Sequence, residues 1–251
     1  MSGTKMNKQK IVISLFDFTC QGVKPWAEQG YLCYCVDVQH SAGEHRDGNI
    51  IRVGADAKSW KLPTGDIVFA AFYPPCTDVA VSGAAHFKNK GLSYLIDALQ
   101  LFEASIRIAE LCGAPYFIEN PVSTVSTYWR QPDHTFHPSD YGGYLAEDDI
   151  HPEYPGYIQP RDAYPKKTCL WVGNGFVMPP KKPVALDSDN FLQPYYPSSQ
   201  VISYSQQHMK LGGKSIKTKN IRSATPRGFS RAVYESNKQD SNAKAQSVGF
   251  A

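Results

Sequence analysis

Two apolar runs bracketing a long helical repeat constrain this chain more than anything else in it. Asp66-Ile-Val-Phe-Ala-Ala-Phe72 and Pro115-Tyr-Phe-Ile-Glu119 each read as a buried strand, while Leu92, Leu95, Ile96, Leu99, Phe102, Ile106 and Leu111 recur between them at helical spacing. Strand, long crossover helix and strand in that order make a parallel unit. Upstream, Lys10-Ile-Val-Ile-Ser-Leu-Phe16 and Tyr31-Leu-Cys-Tyr-Cys-Val-Asp37 are two more strands. A short helix over 23–30 joins them, with Pro25 near its start and Gly30 at its end. Ile50-Ile-Arg-Val53 adds a shorter strand. The alternation predicts an α/β fold with a doubly wound, mostly parallel sheet.

Both bracketing runs stop at a reactive side chain on a Pro-punctuated turn. The first leads through Tyr73-Pro74-Pro75 to Cys76, and 43 positions later the second delivers Glu119-Asn120-Pro121. Ligands of open α/β sheets sit outside the carboxyl ends of the strands. A thiol and a carboxyl group at neighbouring strand ends suggest a thiolate nucleophile paired with an acid, and hence addition to a ring rather than hydrolysis. Taken alone, Pro-Pro-Cys also fits a turn followed by a buried thiol. Asp37, closing the second strand, is either a ribose-hydroxyl acceptor or a plain turn residue.

At 251 residues the chain can bury a full core, and it has no run of eighteen apolar residues that would suggest a membrane span. The first ten residues are polar, unlike a signal peptide. The cysteines at 20, 33, 35, 76, 112 and 169 include no Cys-x-x-Cys pair, so neither a zinc site nor a disulfide framework is expected. A reduced, cytoplasmic setting fits that usage. His134, His137 and His151 lie among aspartates at spacings that match no ligand pattern, and a polar loop explains them without a metal.

Charge is distributed unevenly. From residue 201 onward nine Lys and Arg face only Glu235 and Asp240, so this end carries +7 and the remainder −4 within a net charge of +3. Such a segment either lies on a polyanion or is simply solvated. Composition divides the chain into an α/β core over 1–126, a Pro-, Tyr-, Asp- and His-rich irregular lobe over 127–205 in which only Lys167-Thr-Cys-Leu-Trp-Val172 reads as a strand, a basic segment with a closing helix from Pro226 over 206–238, and a disordered tail over 239–251. Tyr195, Tyr196, Tyr204, Gln206, Gln207 and His208 either touch such a polyanion or pack the lobe.

Several blocks then fall in a telling order. They are Leu15-Phe16-Asp17, Pro25 to Tyr31 leading to Val36-Asp37, Pro74-Pro75-Cys76-Thr77-Asp78 with Val81-Ser82-Gly83-Ala84, Glu119-Asn120-Pro121, Lys166 to Trp171, and Arg222 to Phe229. This series resembles the cytosine-5 DNA methyltransferases, and most of all their compact, phage-borne branch. The resemblance implies the fold of S-adenosyl-L-methionine-dependent methyltransferases and methylation of cytosine at carbon 5 in DNA. The purpose implied is phage DNA modification against host nucleases, by a monomer in the host cytoplasm. It assigns Cys76, Glu119, Asn120 and Lys167 to catalysis, and Phe16, Asp17, Asp37, Asp56, Pro74 and Ser223 to the methyl donor. Cys76 is the implied nucleophile at carbon 6, Glu119 the proton partner of ring N3, and Ser82-Gly83-Ala84 the segment that closes over a flipped base.

Three positions depart from the family pattern. The loop Phe18-Thr19-Cys20-Gln21-Gly22 holds one glycine where the family is glycine-rich, Lys166-Lys167-Thr168 replaces a Gln-x-Arg-x-Arg block, and Arg222-Ser223-Ala224 replaces an Asn-Ser/Ala-Val turn. A guanidinium there repels a sulfonium or pairs with a carboxylate on a modified donor. The alternatives to DNA methylation are action on a free pyrimidine nucleotide, use of such a donor, or a catalytically weak DNA-binding or donor-binding decoy.

Overall fold

Alternating strands and helices assemble into one eight-stranded mixed sheet in the computed structural model, which describes residues 9–80, 89, 91–186, 211 and 215–239. The strands are β1 (Lys10–Leu15), β2 (Leu32–Val36), β3 (Gly43–Asp47), β4 (Ile50–Gly54), β5 (Asp66–Phe72), β6 (Tyr116–Pro121), β7 (His134–Phe136) and β8 (Thr168–Gly173). Their order across the sheet is β3-β4-β2-β1-β5-β6-β8-β7. The pairs β1–β2, β2–β4, β1–β5 and β5–β6 are parallel, and the three pairs nearest the edges are antiparallel. This α/β architecture, mostly parallel at its centre, is compatible with a Rossmann-like fold. In that order β1 lies between β2 on one side and β5 on the other.

Strand periodicity supplies a core on each face. Ile13, Leu15, Phe72, Ile118 and Trp171 pack with Phe102 and Ile108 of helix α2 (Leu92–Cys112). Val12, Phe69, Ala71, Phe117 and Leu170 pack on the opposite face with Trp26 of α1 (Lys24–Glu28) and Phe229 and Val233 of α5 (Arg227–Asn237). Trp26 stacks on Phe69 with ring centroids 4.8 Å apart. Helix α1 opens with Pro25 in its first turn, where no backbone N–H is missed. Helix α2 stops at Gly113, whose φ of 63° is the left-handed conformation that ends helices.

Some expectations needed correcting. Strand β3 is exposed along its whole length and has no apolar alternation, so only its Asp47-Gly48 turn announced the hairpin with β4. The stripe that α2 buries runs through Ala98, Phe102, Ala104, Ser105, Ile108 and Ala109, whereas Leu92, Ile96 and Leu111 are exposed. Beyond residue 127, β7 and β8 join the central sheet, β8 pairing antiparallel with β6. The basic segment contains a helix, α4 (Ile216–Ser223), capped by Ser215, whose hydroxyl accepts from Thr218 N at 3.1 Å. Residues 81–84, the Tyr195–His208 group, Lys210, Lys214, Lys244 and the tail from 240 lie outside the described residues. Among the described residues no helix is long and apolar enough to cross a membrane.

Candidate active site

Strand β5 ends at Phe72, and Tyr73-Pro74-Pro75 carry the chain over the sheet edge to Cys76. The turn is closed by Val79 and Ala80, whose N–H groups donate to the Cys76 carbonyl at 3.1 and 2.8 Å. One strand over, buried Asn120 donates from Nδ2 to the Pro74 carbonyl at 2.9 Å. That bond ties the end of β6 to the Cys76 turn, so Asn120 and Pro74 serve as its framework. The neighbouring residue Glu119 thereby shares the environment of Cys76.

A third element completes the group. Antiparallel pairing sets Pro121 opposite Thr168, which returns the residues preceding β8 to the same edge. Lys166 Nζ lies 3.9 Å from Glu119 Oε1 and donates to the Arg222 carbonyl at 3.2 Å. The Lys166 N–H donates to His137 Nδ1 at 3.1 Å, which fixes its backbone. Burial pushes the Cys76 thiol up, and so does Glu119, while Lys166 and, more weakly, Arg222 pull it down. Burial also raises the Glu119 carboxyl, with Lys166 opposing. The arrangement is a half-buried thiol, a carboxyl group inclined to hold its proton, and two cations.

Lys167 does not belong to this cluster. It is exposed and acts on Cys169, whereas Lys166 faces Glu119. Alternation along an extended segment turns adjacent lysines to opposite sides, and the sequence does not reveal which side faces the site. Ser223 is exposed at the end of α4, its hydroxyl donating to the Asn220 carbonyl at 3.3 Å.

The loop after β1 builds the other wall of the crevice. Phe16 and Cys20 adopt left-handed φ angles of 62° and 56°, which turn the chain without the family's glycines. Buried Asp17 organises this loop from inside. Its carboxylate accepts from Ser14 Oγ at 2.9 Å, Thr19 Oγ1 at 3.2 Å and Gly22 N at 3.3 Å, and burial pushes its pKa up to about 7. Asp17 is therefore a loop-holding residue rather than one that faces a donor. A side chain at Gly22 would collide with the Tyr73 hydroxyl, which itself hydrogen-bonds Thr225. The requirement for glycine here comes from that close approach.

Asp37 at the end of β2 is buried and accepts from Gln39 N at 2.8 Å. Asp56 is exposed and accepts from Lys58 N at 2.9 Å, as a turn residue does. Beside Asp37 opens a cleft of about 310 Å³ lined by Phe18, Gln39, His40, Ser41, His45 and Arg52. Phe18 and His40 stack there, centroids 5.4 Å apart. Sequence reasoning missed these residues because β3 brings His45 into the cleft, and β3 carried no apolar signal.

Beneath the cleft lies a second thiol cluster. Cys20, Cys33 and Cys35 are completely buried. Hydrogen bonding to Cys35 and then to His40 pulls the Cys20 thiol down, while burial pushes Cys35 up. No protein-family model matches the chain, and no curated protein matches it.

Proposed function

We propose that this protein is a cytosine-5 DNA methyltransferase of the compact phage type, with a doubly wound methyltransferase fold and S-adenosyl-L-methionine as donor. The observation that carries the reading is the convergence of Cys76, Glu119 and Lys166 at the sheet edge, from the ends of β5 and β6 and the approach to β8. A thiol beside a carboxyl group whose pKa is raised by burial is the combination that addition to a pyrimidine requires.

In this reading Cys76 as thiolate attacks carbon 6. The carbon–sulfur bond forms and the 5,6 double-bond pair shifts to carbon 5 as Glu119 supplies a proton to ring N3. The bound donor supplies an electrophilic methyl carbon, and the pair of its broken bond stays on the donor sulfur. With the methyl group bonded to carbon 5, Glu119 takes back the N3 proton, and loss of the carbon 5 proton to solvent water restores the double bond and expels Cys76 as thiolate. Lys166 favours the thiolate and orients Glu119, and Asn120 holds the Cys76 turn in place.

The donor's adenosine fits the cleft beside Asp37. Its volume of about 310 Å³ is that of a small-molecule site, the stacked Phe18 and His40 offer a flat apolar wall, and Asp37 stands at its strand end. Lys217 and Lys219 on α4 and Arg222 in its last turn, on the Cys76 side, suit a polyanionic substrate. Nucleoside mass spectrometry of DNA from cells expressing the chain is the test. We expect 5-methylcytosine from wild type and none from Cys76→Ser. Unmodified cytosine in both would sink the proposal.

A further inference from the structure

Two cations and a carboxyl group meet at Cys76. Lys166 and Arg222 both pull its thiol down, and Glu119 opposes them. Lys166 reaches Glu119 only at 3.9 Å, at the outer limit of an ion pair, and its firmer bond is to the neutral Arg222 carbonyl at 3.2 Å. Among the described residues no side-chain hydrogen bond or ion pair holds the exposed Arg222 guanidinium. When Glu119 holds a proton for ring N3, neither cation has another ion-pair partner among the described residues.

The backbone that carries Arg222 is anchored. Helix α4 is capped at Ser215 and anchored by buried Ile221, and buried Ala224 and Thr225 follow directly after it. Ile221 and Ala224 pack with Ile158 and Tyr164 in one small core. Arg222 therefore projects from an anchored turn, and its carbonyl is locked to Lys166. A planar fork of donors beside an ammonium matches an oxyanion. An ordinary sulfonium would add a third positive charge and be repelled by both cations.

We propose that Arg222 and Lys166 form an oxyanion subsite beside Cys76, which pairs with a carboxylate on the transferred group of the donor or with the 5′-phosphate of the target nucleotide. The inference rests on Cys76 as the reacting centre, but it is tested by binding alone. Calorimetry would compare two probe pairs, S-adenosylmethionine against its analogue bearing carboxymethyl in place of methyl, and deoxycytidine against its 5′-monophosphate. Wild type should prefer the oxyanion-bearing member of one pair, and Arg222→Gln should cut that preference about tenfold, as for one lost charge-assisted contact. Arg222→Lys should retain part of it. The pair that responds identifies the source of the oxyanion. A wild type without preference in either pair, or a change under about threefold in Arg222→Gln, overturns the subsite. Cys76→Ser should keep the preference, so a failure of the methyltransferase reading is distinguishable from a failure of this one.

Discussion

The loops after the neighbouring strands β1 and β5 each present a cysteine, and their settings are opposite. Cys20, after β1, is completely buried, and its thiol is pulled down by Cys35 and His40. Cys76, after β5, is partly exposed, and burial pushes its thiol up against the pull of Lys166 and Arg222. Ionisation by itself would favour Cys20 as nucleophile. Access favours Cys76, because a ring must reach the sulfur along a bonding path and nothing reaches an atom sealed beneath a cleft. The Cys20 side is sealed by burial, while the Cys76 side carries an exposed cation, Arg222.

The sharpest way to break this comparison is to exchange the two roles. Cys76→Ser should abolish transfer to DNA, and Cys20→Ser should leave it within about threefold, provided the buried site accepts the hydroxyl. Transfer that survives in the first variant and vanishes in the second would reverse the assignment. Next in size is Glu119→Gln, expected to slow transfer about a hundredfold if the carboxyl group meets the proton demand at N3. A loss under threefold would reduce Glu119 to a strand-end packing residue.

Alkylation by iodoacetamide tests the electrostatics without turnover. A thiol reacts as thiolate, so labelling at Cys76 should rise with pH and reach its midpoint above the ordinary cysteine value of roughly 8.5. Lys166→Gln removes a cation that favours the thiolate and should move that midpoint higher still. Peptide mapping should find Cys20 unlabelled in the folded protein despite its lowered pKa, and labelled once the chain unfolds. The smallest effect concerns the opening itself. Lys217→Ala with Lys219→Ala should weaken binding to all DNA sequences alike and flatten the salt slope by roughly 0.9 per lost phosphate contact. An unchanged slope would take α4 off the DNA-facing side.

The sequence by itself determined the elements whose patterns are local. Apolar runs marked β1, β2, β4, β5 and β6, helical spacing marked α2, and Pro226 marked the start of α5, because burial on two faces or along one stripe requires those periodicities. It also brought Cys76 and Glu119 to one sheet edge, since both follow strands of a parallel unit that end on the same side. Tertiary structure alone decided which partners these residues meet. The antiparallel return of β8 chose Lys166 over Lys167, and the exposed β3 hairpin completed the cleft beside Asp37. Asp17 reads from sequence as a strand-end acid open to a ligand, yet Ser14, Thr19 and Gly22 turn it inward. The thiol nearer ionisation proved to be the one sealed from any substrate. Periodicity fixes where a segment lies relative to the core, whereas register, loop closure and the sum of surrounding charges come from residues far apart in the chain.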